Sequence, residues 1–478
     1  MTAARQEVVV VGAGVAGLAA ATSLVEQGAD VTLLERRPFV GGRAYSYEHP
    51  ALQETVDSQH VMVGCCTNLI EFCAAAGLAE AIRWYDRQTF LDLSEGHVRA
   101  STIEVAALPA PMQYAGSFAR AGMLGLADKA AIARGLSGLL RGYPAEDTES
   151  VASWYVRTRQ TEGAIRHFWE PVVLATLNDG AANCSMKYAG KVFHELFLKT
   201  RTGGRLGIPT LPLSEFYAAA ARRFESRGGR LELRSSVDRI AQQADGRWLL
   251  TVGEEDRVAD SVVLALPFEQ TQRLVAGMAV REVRSEEVRR ELVETMTRFV
   301  HSPFLSILLW YDREITDLHH AWLLDTTIQW FFHKSRIRRY APGRGSYVEL
   351  VIAGSRRELG LSREQILAPA LAELARFFPK TAEARLLKSG ILKEARATFS
   401  VMPGMDAARP GQRTGIPGLF LAGDWTATEW PSTMEGAARS GRLAAGEVVG
   451  EPRRFLAEEL PASGLMRWVA RPPGLERV

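Results

Sequence analysis

Cysteine is scarce in this 478-residue chain, and its four cysteines fall in no pattern that binds metal or forms a disulfide framework. Cys65, Cys66, Cys73 and Cys184 include no C-x-x-C pair, and sequence neighbours such as Cys65 and Cys66 rarely bridge each other. The nine histidines are scattered and include no H-E-x-x-H motif. We therefore predict buried, reduced thiols and no metal site.

The sequence also lacks an excess of charge and a long apolar run. Lys and Arg total 57 against 55 Asp and Glu, and this near balance argues against nucleic acid as the main partner. No apolar stretch reaches about 18 residues, so no membrane-spanning helix is predicted. The apolar run at residues 8–11 is too short for a signal peptide. With 47% apolar residues, the chain can form two or three domains with sizeable cores, and we expect it in the cytoplasm.

The first forty residues carry a phosphate-binding pattern. A β-branched run at 8–11 suits a central parallel strand, and G-x-G-x-x-G follows at 12–17, ahead of a helix of small residues. A second strand at 31–34 ends in Glu35. Glycines at this spacing let the backbone and helix amides approach a pyrophosphate, while the acid accepts hydrogen bonds from the adenosine ribose. The segment predicts dinucleotide binding, and Glu35 favours a free ribose hydroxyl although Arg36 adjoins it.

A second cofactor signature lies near the other end of the chain. An apolar strand at 419–421 stops just before Gly423 and Asp424, and a helix is predicted to begin at Ser432 or Thr433. The glycine allows close approach, and the carboxylate can accept a hydrogen bond from a hydroxyl of a bound dinucleotide. The positive end of the following helix favours negative charge on such a ligand.

Residues 40–43, V-G-G-R, resemble the extended fingerprint of the amine-oxidase and phytoene-desaturase superfamily of flavoproteins. In that superfamily the Gly-Gly backbone passes beside FAD, the arginine lies near its phosphates, and the residue at the Val237 position offers its backbone to the adenine. The resemblance implies an α/β fold, with a Rossmann-like FAD-binding domain of the GR2 type and an inserted α+β substrate domain. The predicted FAD-binding residues are Gly12, Gly14, Ala16, Gly17, Glu35, Arg36, Gly41, Gly42, Arg43, Val237, Gly423, Asp424, Thr433 and Met434.

The predicted domains are interleaved along the chain. Residues 1–70, 205–270 and 390–450 are expected to form a discontinuous FAD-binding domain. Residues 71–204 and 271–389 are expected to form the substrate and membrane-facing domain, and residues 451–478 a C-terminal tail.

Two further segments resemble a narrower family, the hydroxysqualene dehydroxylases, also described as squalene-associated FAD-dependent desaturases. The D-x-Q-H segment lies at 57–69, and a W-x-P…A-x-L-N segment lies at 168–193. Matching segments at 207–217, 396–411 and 421–441 extend the resemblance over nearly the whole chain. It implies reduction of hydroxysqualene to squalene by hydride from N5 of reduced FAD, with departure of an allylic hydroxyl in a dry tunnel.

The same resemblance brings the loop at His60 near the flavin. His60 is predicted to donate a proton to the leaving hydroxyl, although a core histidine bonded to backbone is an equal alternative. Asp57 is predicted to orient His60 or to cap a turn, and Asn178 to hold the substrate hydroxyl or to bond backbone. Glu170 and Glu429 are further candidates for the acid. Arg396, which precedes the Gly-Asp strand, is predicted to contact the flavin or a carboxylate.

Other functions remain open at this point. The same fold can run in the oxidative direction, as a carotenoid or phytoene-type desaturase or isomerase. An amine oxidase would need an aromatic cage that the sequence does not reveal. A non-catalytic flavoprotein would keep FAD for structure alone. The sequence names no electron donor.

A squalene-sized substrate is nearly insoluble in water, so it must come from a bilayer. Segments 111–144, 331–340 and 464–474 combine apolar and basic residues in a way that suits an anionic lipid surface. The first of them is predicted to form two helices. We therefore predict peripheral contact with the inner face of the cytoplasmic membrane. Helices that cover a substrate pocket, or solvated charges, are the alternatives.

Overall fold

The computed structural model describes residues 5–94, 96–338 and 345–469. The strands are β1 Glu7–Val11, β2 Asp30–Glu35, β3 Tyr47–His49, β4 Glu54–Val56, β5 Met62–Val63, β6 Ile82–Tyr85, β7 Arg87–Ser94, β8 His97–Glu104, β9 Leu206–Pro209, β10 Arg230–Leu233, β11 Val237–Gln242, β12 Trp248–Val252, β13 Glu255–Ala259, β14 Ser261–Leu264, β15 His301–Tyr311, β16 His320–Leu323, β17 Trp330–His333, β18 Ser346–Ala353, β19 Leu386–Phe399 and β20 Leu419–Leu421. The α-helices are α1 Val15–Glu26, α2 Thr67–Ala75, α3 Ala115–Arg120, α4 Leu126–Gly138, α5 Val151–Arg157, α6 Glu162–Ala164, α7 Glu170–Leu177, α8 Met186–Phe193, α9 Leu213–Ser226, α10 Phe268–Ala276, α11 Val283–Met296, α12 Lys334–Ile337, α13 Arg363–Phe377, α14 Met434–Val448 and α15 Met466–Val469.

A five-stranded parallel sheet joins the two ends of the chain. Its order is β10-β2-β1-β14-β20, and every neighbouring pair is parallel. The central strands β1 and β14 are almost wholly buried, as expected of Val-rich strands covered on both faces. The predicted α/β fold with a Rossmann-like sheet is confirmed.

Helices α1 and α14 pack together at backbone distance on this sheet. A Cβ atom added at Gly441 of α14 would lie 2.0 Å from the carbonyl oxygen of Ala16 in α1. A Cβ atom at Gly17 would lie 1.8 Å from the carbonyl oxygen of Gly12. Only glycine therefore permits the helix from the end of the chain to reach the helix that follows the first strand.

A seven-stranded sheet forms the second half of the molecule, in the order β19-β15-β18-β17-β16-β7-β8. Its pairs are antiparallel except β16 with β7. Strand β19 stays in this sheet until Phe399, so the chain returns to the five-stranded sheet later than the predicted boundary at residue 390. The long α13 covers one face with apolar residues such as Ile366 and Leu374.

The remaining strands form smaller sheets beside the first one. Strands β11, β12 and β13 make an antiparallel meander between β10 and β14. Strands β5, β9 and β6 make a second three-stranded sheet, which adjoins the loop that carries His60.

Helices fill the segment between β8 and β9. As predicted, the stretch at 111–144 forms two helices, α3 and α4. Two π-helical stretches, Ile165–Trp169 and His194–Leu198, continue α6 into α7 and extend α8. Each π turn accommodates one extra residue in a helix. They bring together an aromatic group that contains Phe168, Phe193 and Phe197.

The three segments predicted to face the membrane differ in their exposure and in how much of each the structure describes. Among the described residues, no helix is both long and apolar enough to cross a bilayer. The prediction that segment 331–340 forms a lipid-facing surface patch is wrong, because Phe331, Phe332 and Lys334 are buried in and beside β17. Its last two residues, and positions 470–474 of the third segment, lie outside the described residues. All four cysteines are buried and unbridged.

Replacement of Gly441 by Ala should destabilise the protein, because the new methyl group would push α14 away from α1. Overpacking of this kind costs about 1–3 kcal/mol, and thermal unfolding followed by circular dichroism would measure it. The control is Gly138→Ala, at an exposed helical position with no heavy atom within 4 Å of the added carbon. It should leave stability unchanged or raise it by about 0.5–1 kcal/mol. Equal midpoints for the two variants would contradict the packing account.

Candidate active site

Two glycine loops lie against each other beside the N-terminus of α1. The Gly41 amide donates to the carbonyl oxygen of Ala13 at 2.8 Å. Gly42 has φ +63°, and a Cβ atom there would lie 2.9 Å from the Cα atom of Gly14. The two loops therefore present bare backbone at the start of a 12-residue helix, where amide groups and the helix dipole favour a phosphate.

Glu35 and Val237 lie together at the end of β2. The buried Glu35 carboxylate accepts the amide of Ala13 at 2.9 Å and the amide of Arg37 at 2.9 Å. The amide of Ser235 donates to the carbonyl oxygen of Glu35 at 2.9 Å, which brings the start of β11 to the same place. Sequence-distant residues predicted for the adenosine end are thus neighbours.

Asp424 faces the same region from the other end of the chain. Its carboxylate pairs with the guanidinium of Arg43 and accepts the hydroxyl of Ser432. Gly423 has φ +146°, a conformation that favours glycine, and its amide donates to Ser440 at 2.8 Å. The predicted near and far sides of the cofactor site are joined by the Arg43–Asp424 ion pair.

Thr433 caps α14, and Met434 is its first residue. The Thr433 hydroxyl accepts the amide of Gly436 at 3.1 Å, and the Tyr217 hydroxyl contacts the sulfur of Met434 at 3.1 Å. Glu435 points away from this end and accepts the amide of Leu69 at 2.8 Å. Burial raises the pKa of the Glu435 carboxyl.

Arg409, which sequence reasoning missed, holds the loop between Asp424 and α14. The guanidinium is 5% exposed and donates to the carbonyl oxygens of Asp424 at 2.9 Å and Trp430 at 2.7 Å. It also donates to the carbonyl oxygen of Thr426 and to the hydroxyl of Tyr188. The sequence signal for Arg409 was its place in the segment A-A-R-P-G. The family resemblance includes this segment but assigns the arginine no role.

A cavity of about 320 Å³ runs along these groups. It is lined by Arg36, Arg37, Arg43, Pro267, Phe268, Glu269, Gln270, His301, Glu394, Ala395, Arg396, Phe399, Asp424 and Trp425. Four arginines make it suited to phosphate oxygens. Arg396 also approaches the carboxylate of Glu269 at 3.5 Å, which matches one of its two predicted roles.

This arrangement fits FAD. The glycine loops leave a cradle that side chains would fill, the arginines face its edge, and the Asp424 carboxylate could accept a hydrogen bond from a hydroxyl of the cofactor. The predicted residues that would hold the cofactor at this cradle are Gly14, Glu35, Gly41, Gly42, Arg43 and Asp424. Arg409 fixes the loop that carries Asp424.

The His60 loop lies between the two halves of the molecule. His60 is partly buried, and its Nδ1 lies 2.9 Å from the carbonyl oxygen of Ser58. Because a carbonyl only accepts, Nδ1 carries the proton and Nε2 is the bare nitrogen of the neutral ring. Burial lowers the pKa of His60 below its ordinary 6.5.

Asp57 does not contact the His60 ring but belongs to a buried ionic network. Lys334 Nζ donates to the Asp57 carboxylate at 2.5 Å and pairs with Glu349 at 2.6 Å, and all three side chains are fully buried. Arg338 donates twice to Asp57 at 2.7 Å. Although burial opposes ionisation, the two cations lower the pKa of Asp57 to about 2.

Glu349 extends this network to the backbone of the His60 loop. Its carboxylate accepts the amide of Gln59 at 2.9 Å and the hydroxyl of Ser306 at 2.6 Å. The network therefore fixes the residues on either side of Ser58, whose carbonyl sets the His60 tautomer. Sequence reasoning missed both Lys334 and Glu349, although a lone Glu within the apolar strand Ser346–Ala353 signals a buried partner.

Asn178 ends α7 in a left-handed conformation, with φ +54°. Its amide nitrogen donates to the carbonyl oxygen of Ser302 at 3.1 Å and to the hydroxyl of Thr398 at 3.0 Å, and its amide oxygen accepts the amide of Gly354 at 3.1 Å. These bonds fasten α7 to β15, β18 and β19. They correspond to the backbone-bonded alternative and occupy both N–H groups of the amide.

The other two candidates are also held by protein groups. Glu170 accepts the amide of Ala181 at 3.3 Å, and burial raises the pKa of its carboxyl. Glu429 is in a left-handed conformation, with φ +64°, and pairs with Arg439 at 3.3 Å.

The fold and the cradle define a FAD-dependent oxidoreductase. The family described as flavin containing amine oxidoreductase matches residues 15–449, and the chain belongs to this family. The chain is 25% identical over 488 residues to zeta-carotene desaturase from Synechocystis sp., covering 94% of this chain and 98% of that protein. It is 24% identical over 467 residues to 15-cis-phytoene desaturase from Solanum lycopersicum, covering 93% and 77%.

Solved structures show the same fold. An oxidoreductase from Methanosarcina mazei superposes with a TM-score of 0.70 at 17% identity, covering 91% of this chain and 98% of that one. Cyclohexylamine oxidase from Brevibacterium oxydans superposes with a TM-score of 0.65 at 19% identity, covering 94% and 100%.

Replacement of Asp424 by Ala should weaken FAD binding, because it removes a charged hydrogen-bond acceptor and frees Arg43. A charge-assisted hydrogen bond contributes about 1.5–3 kcal/mol, or roughly 10- to 100-fold in dissociation constant. The flavin-to-protein ratio from the visible spectrum and titration of the apoprotein would measure the loss. The control is Asp86→Ala, which removes an exposed ion pair with Arg205. Full flavin content in Asp424→Ala would remove Asp424 from the site.

Replacement of Lys334 by Met should destabilise the protein, because Asp57 and Glu349 would lose the cation that lies between them. Removal of one partner from a buried ion pair costs about 3–5 kcal/mol. Lys388→Met, at a partly exposed pair with Glu54, should cost about 1 kcal/mol or less. Urea unfolding of both variants tests the contrast, and an equal loss would contradict the network.

Proposed function

We propose that this protein is a FAD-dependent desaturase of an apolar, acyclic isoprenoid of the phytoene or carotene class. The observation that carries the proposal is the similarity to carotene and phytoene desaturases along more than nine-tenths of the chain. Such a reaction removes a hydride and a proton from adjacent carbons and leaves a carbon–carbon double bond.

The state of His60 supports the oxidative direction. A neutral ring with Nδ1–H bonded to Ser58 offers the lone pair of Nε2, so it can accept the proton that a desaturation releases. The lowered pKa keeps the ring in that form at neutral pH. Bound FAD supplies the two-electron chemistry, taking up a hydride in a desaturation or giving one up in a dehydroxylation.

The second candidate is reduction of hydroxysqualene to squalene. The observation that favours it is the D-x-Q-H segment at 57–60 with the W-x-P…L-N segment at 169–178. Both pack on β15, the first through Ser306 and the second through Ser302. In this direction the departing hydroxyl needs a proton, and His60 would have to supply it.

Product analysis should separate the two candidates. Oxidised protein, incubated without oxygen with detergent-dispersed phytoene or zeta-carotene and a quinone acceptor, should yield a product with additional conjugated double bonds. Dithionite-reduced protein, incubated with hydroxysqualene, tests the alternative. With His60 as base, kcat/KM should rise with pH up to an inflection below 6.5 and then stay level. With His60 as acid, it should fall above that inflection.

His60→Gln should abolish turnover and keep FAD bound, whereas His97→Gln, on an exposed strand end, should leave both intact. Normal turnover in His60→Gln removes it from the mechanism. Squalene as the sole product replaces the first candidate by the second. A flavin whose redox state no isoprenoid changes contradicts both.

A further inference from the structure

Large apolar side chains are exposed at one place where two distant segments meet. The group comprises Leu108 at 44%, Met112 at 46%, Leu465 at 52%, Trp468 at 88% and Val469 at 39% of full exposure. We call these five residues the docking face. An indole as exposed as that of Trp468 is unusual on a soluble surface unless it meets a partner.

Backbone contacts hold the two segments together. The amide of Leu465 donates to the carbonyl oxygen of Ala110 at 2.9 Å, and the amide of Ser463 donates to the carbonyl oxygen of Lys199 at 3.0 Å. Gly464 lies so close that an added Cβ atom would be 2.6 Å from the Ala110 nitrogen. Parts of the two separate segments predicted to meet lipid, at 111–144 and 464–474, thus adjoin in the fold.

Exposed arginines lie on the segments that form or adjoin the docking face. Arg467 lies within it, Arg120 ends the helix that follows Met112, and Arg201 follows Thr200, whose carbonyl accepts from the Gln113 amide at 3.3 Å. All three are exposed, and none pairs with a carboxylate of the described residues. An apolar face with an exposed indole and free cations is complementary to the headgroup region of an anionic bilayer.

The docking face lies directly outside an aromatic layer of the core. Tyr114, two residues after Met112, contacts Phe197 with ring centres 5.6 Å apart, and Phe197 contacts Phe168 at 5.4 Å. The chain that follows Phe197 contacts the segment just after His60. The amide of Cys65 donates to the carbonyl oxygen of Gly203 at 3.1 Å. A bilayer on this face would lie next to this aromatic layer.

We propose that the docking face binds the surface of an anionic phospholipid bilayer and inserts Trp468, Leu465 and Met112 into it. The reason for such docking rests on the proposed function, since an isoprenoid of this class resides in lipid. The occupant is the bilayer rather than a second copy of this chain, because the free arginines call for anions. Attachment to the inner face of the cytoplasmic membrane follows as part of the same proposal.

Vesicle co-sedimentation of the purified, FAD-loaded full chain tests the proposal. The protein should bind vesicles of phosphatidylcholine mixed with phosphatidylglycerol more tightly than phosphatidylcholine alone, and added salt should weaken the binding. Trp468→Ser with Leu465→Ser should reduce partitioning about tenfold or more, the equivalent of 1.4 kcal/mol of lost apolar burial. Arg467→Gln should reduce mainly the dependence on anionic lipid.

Val283→Ser is the matched control, because Val283 is 79% exposed at the start of α11, away from the docking face, and should leave partitioning unchanged. Desaturation of detergent-dispersed substrate should be unaffected in every variant, so failure of the proposed reaction is distinguishable from failure of docking. Absence of vesicle binding, or binding that Trp468→Ser with Leu465→Ser leaves intact, overturns the proposal. So does a concentration-dependent dimer in size-exclusion chromatography that the same variant abolishes.

Discussion

The two halves of the molecule depend on one another through Lys334, which lies between the carboxylates of Asp57 and Glu349. Asp57 belongs to the segment that leaves the FAD-binding half, while Lys334 and Glu349 come from the seven-stranded sheet. Because all three side chains are fully buried, removing one of them would leave an opposite charge buried without its partner. The loop that carries His60 is fixed at this junction, so its ring is held between the two halves of the molecule by charges as well as by packing.

The cofactor half illustrates what a sequence can establish. The glycines from Gly12 to Gly17, the carboxylate of Glu35 and the Gly-Asp pair at 423–424 each have a physical reason to occur at their positions. A parallel sheet brings such carboxyl-terminal strand ends to one edge, so their proximity followed from topology. The clustering of these residues was predictable for this reason, and the helix start at Thr433 was predictable from its capping hydroxyl.

The junction was not predictable in the same way. The run of aromatic and basic residues at 331–338 reads like a lipid-facing surface, yet β17 buries the aromatic rings and Lys334 meets Asp57, nearly three hundred residues away in the chain. Asn178 reads like a substrate ligand, yet its bonds to Ser302 and Gly354 arise from a sheet that no local pattern specifies. Arg409 contacts backbone carbonyls, which have no sequence signature. In each case the partner was remote and the local pattern compatible with several environments.

The placement of β20 at the edge of the parallel sheet has a consequence for biosynthesis. The glycine turn and α1 leave the ribosome within the first 26 residues, whereas Leu419–Leu421 and Asp424 follow about four hundred residues later. At roughly 5–20 residues per second, that interval lasts about 20–80 s. Throughout it, the nascent sheet lacks β20 and the nucleotide pocket lacks the side that carries Asp424. Stable capture of the cofactor is therefore a late, post-elongation event, and truncated translation products should emerge colourless.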